Sequence, residues 1–282
     1  MRSSLTGVDI FNTVMLQRSL DKRLVVLVES PEDSGVIDPH VNDSDVQTFP
    51  GYGKESVLTA AQMFLSRQIR EVIAVVDADL DRYNGRQQQH PPNVVMTEFY
   101  DLDADVLFHC PQALDAILAN FTDKARRQLY LESRGISAHE EIWDMAIAVG
   151  EIRYCSMVRQ CGLNLRRFPL HEVLEEYERG AAQARVLALA LVRTPNAPEI
   201  TTSDVAIEVA ALPDKRHVAS GHDLISALAA LIRMRWGGTG GEKLLASALR
   251  SAAQCHCWKK TVVYRFVREW ARQFNVNAWT CP

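Results

Sequence analysis

Two short apolar runs that end in acidic residues constrain the fold of this 282-residue chain more than any other feature. The first run, RLVVLVES, occupies residues 23–30, and the second, EVIAVVDAD, occupies residues 71–79. Nearly unbroken runs of β-branched residues and leucine at this length are typical of strands that are buried on both faces of a parallel sheet. Acidic residues therefore follow two predicted strands at their carboxyl ends.

Strands and helices alternate in the first third of the chain. Residues 45–53, DVQTFPGYG, predict a second strand with a glycine-rich turn after it, and residues 54–68 place apolar side chains at helical spacing. A further strand is predicted over residues 94–99, VVMTEF, and the segment after it turns into a helix. This order is typical of βαβ units. We therefore expect an α/β fold with a parallel sheet flanked by helices.

From about residue 110 the pattern becomes that of helices. We predict an α/β domain with an N-terminal helix over residues 1–110 and a mainly helical domain over residues 111–282, which ends in a basic helix. Apolar side chains fall on one face of that last helix, and three arginines form a basic stripe on the opposite face: Arg265, Arg268 and Arg272. The basic stripe is either an ordinary solvated face or a surface that contacts phosphates.

Charge is distributed unevenly along the chain, whose formal net charge is -4. Residues 71–105 include eight acidic and two basic residues, whereas residues 250–272 include six basic residues and one acidic residue. This asymmetry suits an enzyme that holds cations in one place and a polyanion beside it. Because the sequence lacks both an apolar run of about 18 residues and the apolar segment of a signal peptide, we expect a soluble, cytoplasmic protein with no membrane partner.

The six cysteines are scattered and lack the spacing of a zinc ribbon or a disulfide framework. We therefore expect reduced thiols. Residues 255–258, CHCW, form one local cluster. A zinc site there needs further ligands, so a half-buried helix start is the favoured interpretation.

Acidic residues follow three of the predicted strands. Glu29 follows the first, Asp77 and Asp79 follow the third, and the DLD of residues 101–103 follows the fourth. Because the carboxyl ends of parallel strands meet at one edge of the sheet, we expect these side chains to converge. Neighbouring carboxylates repel one another unless hydrogen bonds or cations compensate them. Oxygen ligands without histidine or thiolate favour Mg²⁺ or Mn²⁺, and Mg²⁺ commonly takes further ligands from substrate phosphates.

Five short motifs, taken in order, resemble a known family. VESPED at residues 28–33 is similar to the glutamate motif of the Toprim domain, and VVDADLD at residues 75–81 is similar to its DxD motif. GYGKES, YDLDAD and SGHDLISAL follow the order of corresponding segments in the DUF4435 group of Toprim proteins. Within that group the chain resembles the effector of the PARIS anti-phage system. The resemblance covers about residues 20–235 and implies a Toprim/Rossmann-like sheet.

The resemblance implies a set of metal ligands in this sequence: Glu29, Asp33, Asp77, Asp79 and Asp103. Two positions depart from the family pattern. Ser30 stands where the family usually has glycine, which bears on the turn after the first strand. Asp103 stands where the family usually has glutamate, whose side chain is one methylene longer. The glutamate and the DxD pair at the centre of the motif set are retained.

The activity that the resemblance implies is a nuclease dependent on Mg²⁺ or Mn²⁺, with RNA (tRNA among the candidates) or DNA as substrate. Glu29, Asp77 and Asp79 would be catalytic, and Lys54 would place a positive charge on the phosphate or be a solvated lysine of a first helical turn. The basic stripe would bind the nucleic acid. The family further implies a toxic effector of anti-phage defence, controlled by an ABC-type or SMC-like ATPase and active as a homo-oligomer.

Other interpretations stay open. One is a non-catalytic adaptor that assembles with an ATPase or with nucleic acid, and a less favoured one is a primase-like or topoisomerase-like activity. GYGKES lacks the residue spacing of a Walker A loop, so no ATP-binding loop is predicted. In SGHDL we expect Asp223 to cap a helix and His222 to serve that junction rather than catalysis. Asp81 is expected to be solvated or to support the metal ligands indirectly.

Overall fold

The structure is a computed structural model that describes residues 5–175 and 181–281. In chain order, its strands and α-helices are α1 (Gly7–Leu20), β1 (Leu24–Val28), α2 (Pro31–Ile37), β2 (Val46–Pro50), α3 (Lys54–Ser66), β3 (Val72–Val76), β4 (Val94–Met96), α4 (Leu102–His109), α5 (Pro111–Phe121), α6 (Lys124–Arg134), α7 (Ala138–Val158), α8 (Leu170–Glu175), α9 (Ala182–Val192), α10 (Thr202–Val209), α11 (Gly221–Met234), α12 (Glu242–Ala252), α13 (Cys255–Trp258) and α14 (Val262–Arg272). Short 3-10 helices cover Asp38–His40, Arg86–Gln89 and Lys215–Val218. The predicted α/β class is confirmed: a parallel sheet flanked by helices is followed by a helical region.

The four strands form one parallel sheet in the order β2-β1-β3-β4. Every residue of β1 and β3 is buried, as expected for the two central strands of a sheet covered on both faces. The chain leaves β1 towards β2 on one side and later enters β3 on the other side of β1. The direction of winding therefore reverses between β1 and β3. In open α/β sheets such a reversal opens a crevice at the carboxyl ends of the strands, where ligands bind.

Helix α3 is held over the two central strands by the main apolar core. It packs against α1, β1 and β3. Ile10 and Val14 of α1 and Val57 of α3 are fully buried in this core, and the rings of Phe11 and Phe64 lie 4.8 Å apart between centroids. Because the connection from β2 enters α3 at Lys54, the first turn of α3 lies near the carboxyl ends of the strands.

The chain divides into two compact units, one of Met1–Leu102 with Gln254–Pro282 and one of Asp103–Ala253. The first unit thus includes the C-terminal segment, which the predicted division placed with residues 111–282. Backbone hydrogen bonds explain this position: Asn42 N–H donates to the Ala278 carbonyl at 2.9 Å, and Thr280 N–H donates to the His40 carbonyl at 2.8 Å. Helix α14 and its basic stripe therefore belong to the α/β unit.

Within the first unit, Cys255 and Cys281 form a disulfide, so the expectation of reduced thiols is wrong for this pair. The return of the C-terminal segment brings their Cα atoms to 5.4 Å across a sequence separation of 26 residues. Cys155 and Cys161, in the second unit, are free thiols. Cys255 is half-buried and begins α13, as the predicted helix start requires.

The second unit is helical. At the start of α11, Ser220 is the N-cap and accepts a hydrogen bond from Asp223 N–H at 3.1 Å. The predicted helix junction is present, but Asp223 is not the cap: its buried carboxylate accepts from the Arg153 guanidinium at 2.5 Å. Among the residues that the structure describes, no helix has the length and the apolar character needed to cross a membrane.

Candidate functional site

Glu29 and Asp77 occupy equivalent positions on the two central strands. Glu29 is the first residue after β1, and Asp77 is the first residue after β3. Since β1 and β3 are adjacent and parallel, both residues reach the crevice at the reversal point of the sheet. The backbone N–H of Asp77 donates a hydrogen bond to Glu29 Oε1 at 2.8 Å. The structure thus brings together two of the predicted ligands.

Both carboxyl groups bind protons far more tightly than usual. Burial, joined by the charges of Asp79 and Asp33, raises the pKa of Glu29 to about 8, against the opposing effects of the Asp77 N–H and Lys54. Burial also raises the pKa of Asp77 well above its ordinary value, and the charges of Asp33, Asp101, Glu29 and Asp79 add to this effect. The site therefore lacks the cationic side chains needed to keep these two carboxyl groups ionised, and a bound cation would supply that missing positive charge.

Asp79 is held in an uncommon backbone conformation. Its φ of 45° lies in the left-handed region, which aspartate tolerates better than most residues. Its N–H donates to the Tyr100 carbonyl at 2.8 Å, and its Oδ2 accepts from Lys54 Nζ at 2.8 Å. Both partners are distant in sequence. The turn after β3 is consequently fixed by contacts outside it, as expected where strain is kept at a site.

Lys54 connects the residues of the DxD segment. Its ammonium group donates to the Asp77 carbonyl at 2.6 Å and contacts Asp79 Oδ2 at 2.8 Å and Asp81 Oδ2 at 2.7 Å. The side chain is only 12% exposed, so the solvated alternative for Lys54 is wrong. Burial by itself lowers the pKa of Lys54, but the carboxylates of Asp79 and Asp81 outweigh it and the pKa is raised. Lys54 is therefore charged and supports the turn.

Asp81 is buried rather than solvated, with 3% of its surface exposed. The prediction that Asp81 is solvated is therefore wrong. The other prediction, that it supports the metal ligands indirectly, stays a prediction. Besides its contact with Lys54, its Oδ2 lies 3.2 Å from Nε2 of His90. Burial lowers the pKa of His90, although Asp81 opposes this effect. Arg86, which is close to Asp81 in sequence, pairs instead with Glu55 at 3.2 Å.

The glycine-rich turn brings Lys54 to the site. Gly51 N–H donates to the Val28 carbonyl at 2.8 Å, and Gly53 N–H donates to the Glu29 carbonyl at 2.9 Å. A Cβ on Gly51 would lie 2.4 Å from Cγ2 of Val57, and Gly53 has a φ of 144° that few other residues adopt. Both glycines are needed for the chain to pass from β2 directly into α3 beside Glu29.

Ser30 and Asp33 form a capping box at the start of α2. Ser30 N–H donates to Asp33 Oδ2 at 2.8 Å, and Asp33 N–H donates to Ser30 Oγ at 3.2 Å. Ser30 has an extended backbone with a φ of -143°, so this turn does not need the family's glycine. Asp33 thus stabilises the helix start while its charge raises the pKa values of Glu29 and Asp77. The three-residue spacing of Ser30 and Asp33 in SPED is the sequence signal for this capping box.

The two aspartates of the DLD segment fall in different units. Asp101 belongs to the first unit, where its charge raises the pKa of Asp77. Asp103 belongs to the second unit, where both of its carboxylate oxygens accept hydrogen bonds from Arg250, at 2.8 and 2.6 Å. The role of Asp103 as a metal ligand stays a prediction. The motif resemblance selected Asp103 as a ligand and did not select Asp101, which lies two positions before it in the sequence and acts on Asp77.

The carboxylate oxygens of the site are suited to a hard divalent cation that takes only one or two of its ligands from the protein. Among the described residues, no three of the carboxylates bring ligand oxygens within 4.8 Å of one another. Mg²⁺ is commonly held by one or two carboxylates, with water and substrate phosphates completing its shell. Glu29 and Asp77 meet that requirement because a cation would offset the repulsion that raises their pKa values.

The basic stripe lies on the exposed side of α14, opposite the buried Val263, Val267 and Trp270. Arg265 donates to the Lys260 carbonyl at 2.6 Å and is exposed. Glu269 contacts both other arginines of the stripe, Arg268 at 3.2 Å and Arg272 at 3.0 Å. The predicted apolar and basic faces are therefore present, and nucleic-acid binding by the stripe stays a prediction.

Comparison with known proteins does not assign the chain to a family. No family model and no curated protein matches the sequence. Function is consequently argued from the geometry of the site, from its charges and from the motifs.

Proposed function

We propose that the chain is a nuclease that uses Mg²⁺ or Mn²⁺ to hydrolyse phosphodiester bonds in RNA, with tRNA among the candidate substrates, or in DNA. The observation that supports this most strongly is the pair formed by Glu29 and Asp77 at the reversal point of the sheet. Desolvation and the charges of neighbouring carboxylates raise both pKa values, although Lys54 opposes the shift of Glu29. Such a pair favours a cation and, through it, an anionic substrate.

Each acidic side chain has a distinct role in this proposal. Asp77 and Asp79 hold the metal ions beside the scissile phosphate, and Glu29 binds a metal or removes the proton of the attacking water. The metal-ligand roles of Asp33 and Asp103 stay predictions that rest on the motif resemblance. A bound Mg²⁺ supplies charge stabilisation at the phosphoryl oxygens and lowers the pKa of its water. A carboxyl group whose pKa is raised to about 8 is well matched to proton transfer near neutral pH.

Lys54 acts as a positioning residue and as a local positive charge. Its contacts with the Asp77 carbonyl and with Asp79 fix the DxD turn, while its raised pKa keeps it cationic beside the phosphate position. The basic stripe would contact the nucleic-acid backbone, where each arginine adds salt-dependent affinity.

The biological setting rests on the motif resemblance alone. In that setting the chain is a cytoplasmic toxic effector of anti-phage defence, which an ABC-type or SMC-like ATPase controls and which is active as a homo-oligomer. The absence of a Walker A sequence in GYGKES is consistent with an ATPase on a different chain.

The test compares cleavage of tRNA and of genomic DNA by the purified chain with Mg²⁺, with Mn²⁺ and with a chelator. Glu29→Gln and Asp77→Asn should each lower the metal-dependent rate at least about 100-fold, because each removes a charge that the reaction needs. Glu32→Gln is the matched control, since Glu32 lies three residues from Glu29 on the exposed side of α2. Unchanged cleavage by both site variants would overturn the proposal.

A non-catalytic adaptor is the second candidate. The contacts of Lys54 with Asp79 and Asp81 support it, because they give these carboxylates a cationic partner without a metal. Calorimetric titration with Mg²⁺ and Mn²⁺ separates the two candidates. An adaptor should show no metal binding that depends on Asp77 and Asp79, whereas the nuclease should lose such binding in Asp77→Asn.

A further inference from the structure

A histidine and two cysteines meet within the first unit, away from the carboxylates. Nδ1 of His40 lies 3.6 Å from Sγ of Cys281 and 4.0 Å from Sγ of Cys255. The three potential ligand atoms all lie within 4.8 Å of one another. His40 and Cys281 are buried, and Cys255 is half-buried. This grouping comes from the fold, because His40 is more than 200 residues from either cysteine in sequence.

The position of His40 is fixed by contacts that do not involve the sulfur atoms. Its carbonyl accepts hydrogen bonds from Thr280 N–H at 2.8 Å and from Thr280 Oγ1 at 3.1 Å. Its ring stacks on Trp258, with 5.4 Å between centroids and 13° between planes. Only 4% of its surface is exposed. Breaking the disulfide would therefore leave the imidazole in place beside both cysteines.

The distances are those of a tetrahedral zinc site. Zn–S bonds of about 2.3 Å and Zn–N bonds of about 2.0 Å place the nitrogen about 3.5 Å from each sulfur. The observed separations of 3.6 and 4.0 Å are close to that value. Two thiolates on one zinc ion lie about 3.8 Å apart, so the sulfurs must separate after reduction. The Cα separation of 5.4 Å keeps both within reach of one ion.

We propose that reduction of the Cys255–Cys281 bond converts this cluster into a zinc site with His40, Cys255 and Cys281 as ligands and water in the fourth position. A dithiol reductant supplies two electrons and two protons, the S–S bond breaks, and the reductant becomes a disulfide. Zinc then displaces the two thiol protons as it binds the thiolates. In the oxidised form Cys255 and Cys281 offer no thiolate, so the cluster does not bind the ion.

The chemistry of the ligands selects zinc over the cations expected at the carboxylates. Thiolates and imidazole are preferred by Zn²⁺, whereas Mg²⁺ requires oxygen ligands. Burial lowers the pKa of His40, so the ring is available as a neutral ligand. The disulfide joins Cys255 to Cys281 within the C-terminal segment, whereas the zinc ion would also join that segment to His40 in the 3-10 helix Asp38–His40. In the reduced form the metal would therefore hold the segment that includes α14 and its basic stripe to the rest of the α/β unit.

The test titrates the full chain, reduced with a phosphine under nitrogen, with Co²⁺ and then with Zn²⁺. Co²⁺ bound by two thiolates gives sulfur-to-metal charge-transfer absorption and tetrahedral visible bands, which Zn²⁺ abolishes as it displaces the cobalt. By native mass spectrometry we expect the reduced chain to bind at least one Zn²⁺ more than the oxidised chain, and one Zn²⁺ of these should be lost in the Cys255→Ser, Cys281→Ser chain. This readout is independent of nuclease activity.

Paired variants locate the site. Cys255→Ser with Cys281→Ser should remove one bound Zn²⁺, whereas Cys155→Ser with Cys161→Ser removes the same number of thiols from the second unit and should leave zinc binding unchanged. Should the first pair fail to fold, His40→Gln keeps both sulfurs. Formation of its disulfide, seen by intact mass after alkylation, verifies the fold. His40→Gln should weaken Co²⁺ binding at least tenfold.

Three outcomes would overturn the proposal: no zinc binding by the reduced chain, unchanged binding in the Cys255→Ser and Cys281→Ser chain, or unchanged affinity in a folded His40→Gln chain. The first would leave a purely structural disulfide. The second would place the metal at other residues.

Discussion

The backbone N–H of Asp77 donates to Glu29 Oε1 at 2.8 Å, which joins the carboxyl ends of the two central strands through a side chain that is itself costly to ionise. The pKa of Glu29 is raised from 4.5 to about 8. Between these two values the folded chain holds a proton that the unfolded chain has lost. The free energy of unfolding of the metal-free protein should therefore fall as the pH rises from 4.5 through 8.

Glu29→Gln should flatten this dependence, because the amide does not ionise. One proton contributes at most about 1.4 kcal/mol per pH unit, and partial solvation of Glu29 will reduce the effect below that limit. Urea unfolding in the presence of a chelator, at a series of pH values between 5 and 8.5, measures the slope. Glu32→Gln, at an exposed position, should keep the wild-type slope. Equal slopes in wild type and Glu29→Gln would contradict the prediction.

The position of this pair followed from the sequence for a physical reason. Strands buried on both faces must be apolar throughout, so β1 and β3 are visible as unbroken runs, and the residues after them must lie at one edge of the sheet. Whether a carboxylate is buried does not follow from local pattern. Asp81 looked solvated because its partner Lys54 lies 27 residues away on another element.

The position of the C-terminal segment could not be predicted for the same reason, because it depends on contacts between residues that are distant in sequence. The amphipathic pattern of α14 was visible, but the hydrogen bonds that Thr280 donates to the His40 carbonyl, from its N–H and from its hydroxyl, span 240 residues. The spacing of apolar residues along the sequence does not indicate which distant segments are hydrogen-bonded to each other. The Cys255–Cys281 disulfide was missed for this reason, since it depends on where the segment returns.

Removing the charge of Lys54 should strongly destabilise the chain. Lys54→Met leaves Asp81, which is 3% exposed, without its cationic partner, and breaking such a buried pair typically costs about 3–5 kcal/mol. Adding Asp81→Asn should recover part of this loss, because the uncompensated buried charge is then gone. Urea unfolding of the two single variants and the double variant gives the coupling energy.

The exposed ion pair between Arg86 and Glu55 is the control for that cycle. Both side chains are largely exposed, so Arg86→Ala should change the free energy of unfolding by less than about 1 kcal/mol. A Lys54→Met chain that is no less stable than Arg86→Ala would contradict the assignment of Lys54 as the partner of Asp81.

Gly51 should tolerate no side chain, for reasons of space. A Cβ there would lie 2.4 Å from Cγ2 of Val57 and 2.9 Å from Cδ1 of Ile10, so Gly51→Ala should cost about 1–3 kcal/mol of unfolding free energy. Adding Val57→Ala should relieve part of the overlap. Gly35, in α2, has no atom within 4 Å of the corresponding position.

Gly35→Ala is thus the matched substitution, and it should stabilise the chain by about 0.5–1 kcal/mol because alanine favours a helix interior. Thermal and urea unfolding compare the two. Equal effects of the two alanines would show that the turn before α3 adjusts without loss.

Glu269 should limit the affinity of the basic stripe for nucleic acid. It lies 3.2 Å from Arg268 and 3.0 Å from Arg272, so it competes with phosphate for both guanidinium groups. Glu269→Gln should therefore strengthen binding, whereas replacing all three arginines of the stripe by alanine should weaken it. For duplex DNA, affinity falls as salt rises, and each lost phosphate contact makes the slope of log affinity against log salt less steep by about 0.9.

Fluorescence anisotropy with labelled duplex and single-stranded oligonucleotides at several salt concentrations measures this slope. Three phosphate contacts predict a slope smaller by about 2–3 in the triple variant. Glu269→Gln acts on the stripe by removing a neighbouring negative charge. The gain in nucleic-acid affinity should therefore be largest at low salt and should decrease as salt screens the charges of the stripe. A slope that is the same in wild type and triple variant would assign the stripe to solvent exposure alone, which is the alternative that the sequence left open.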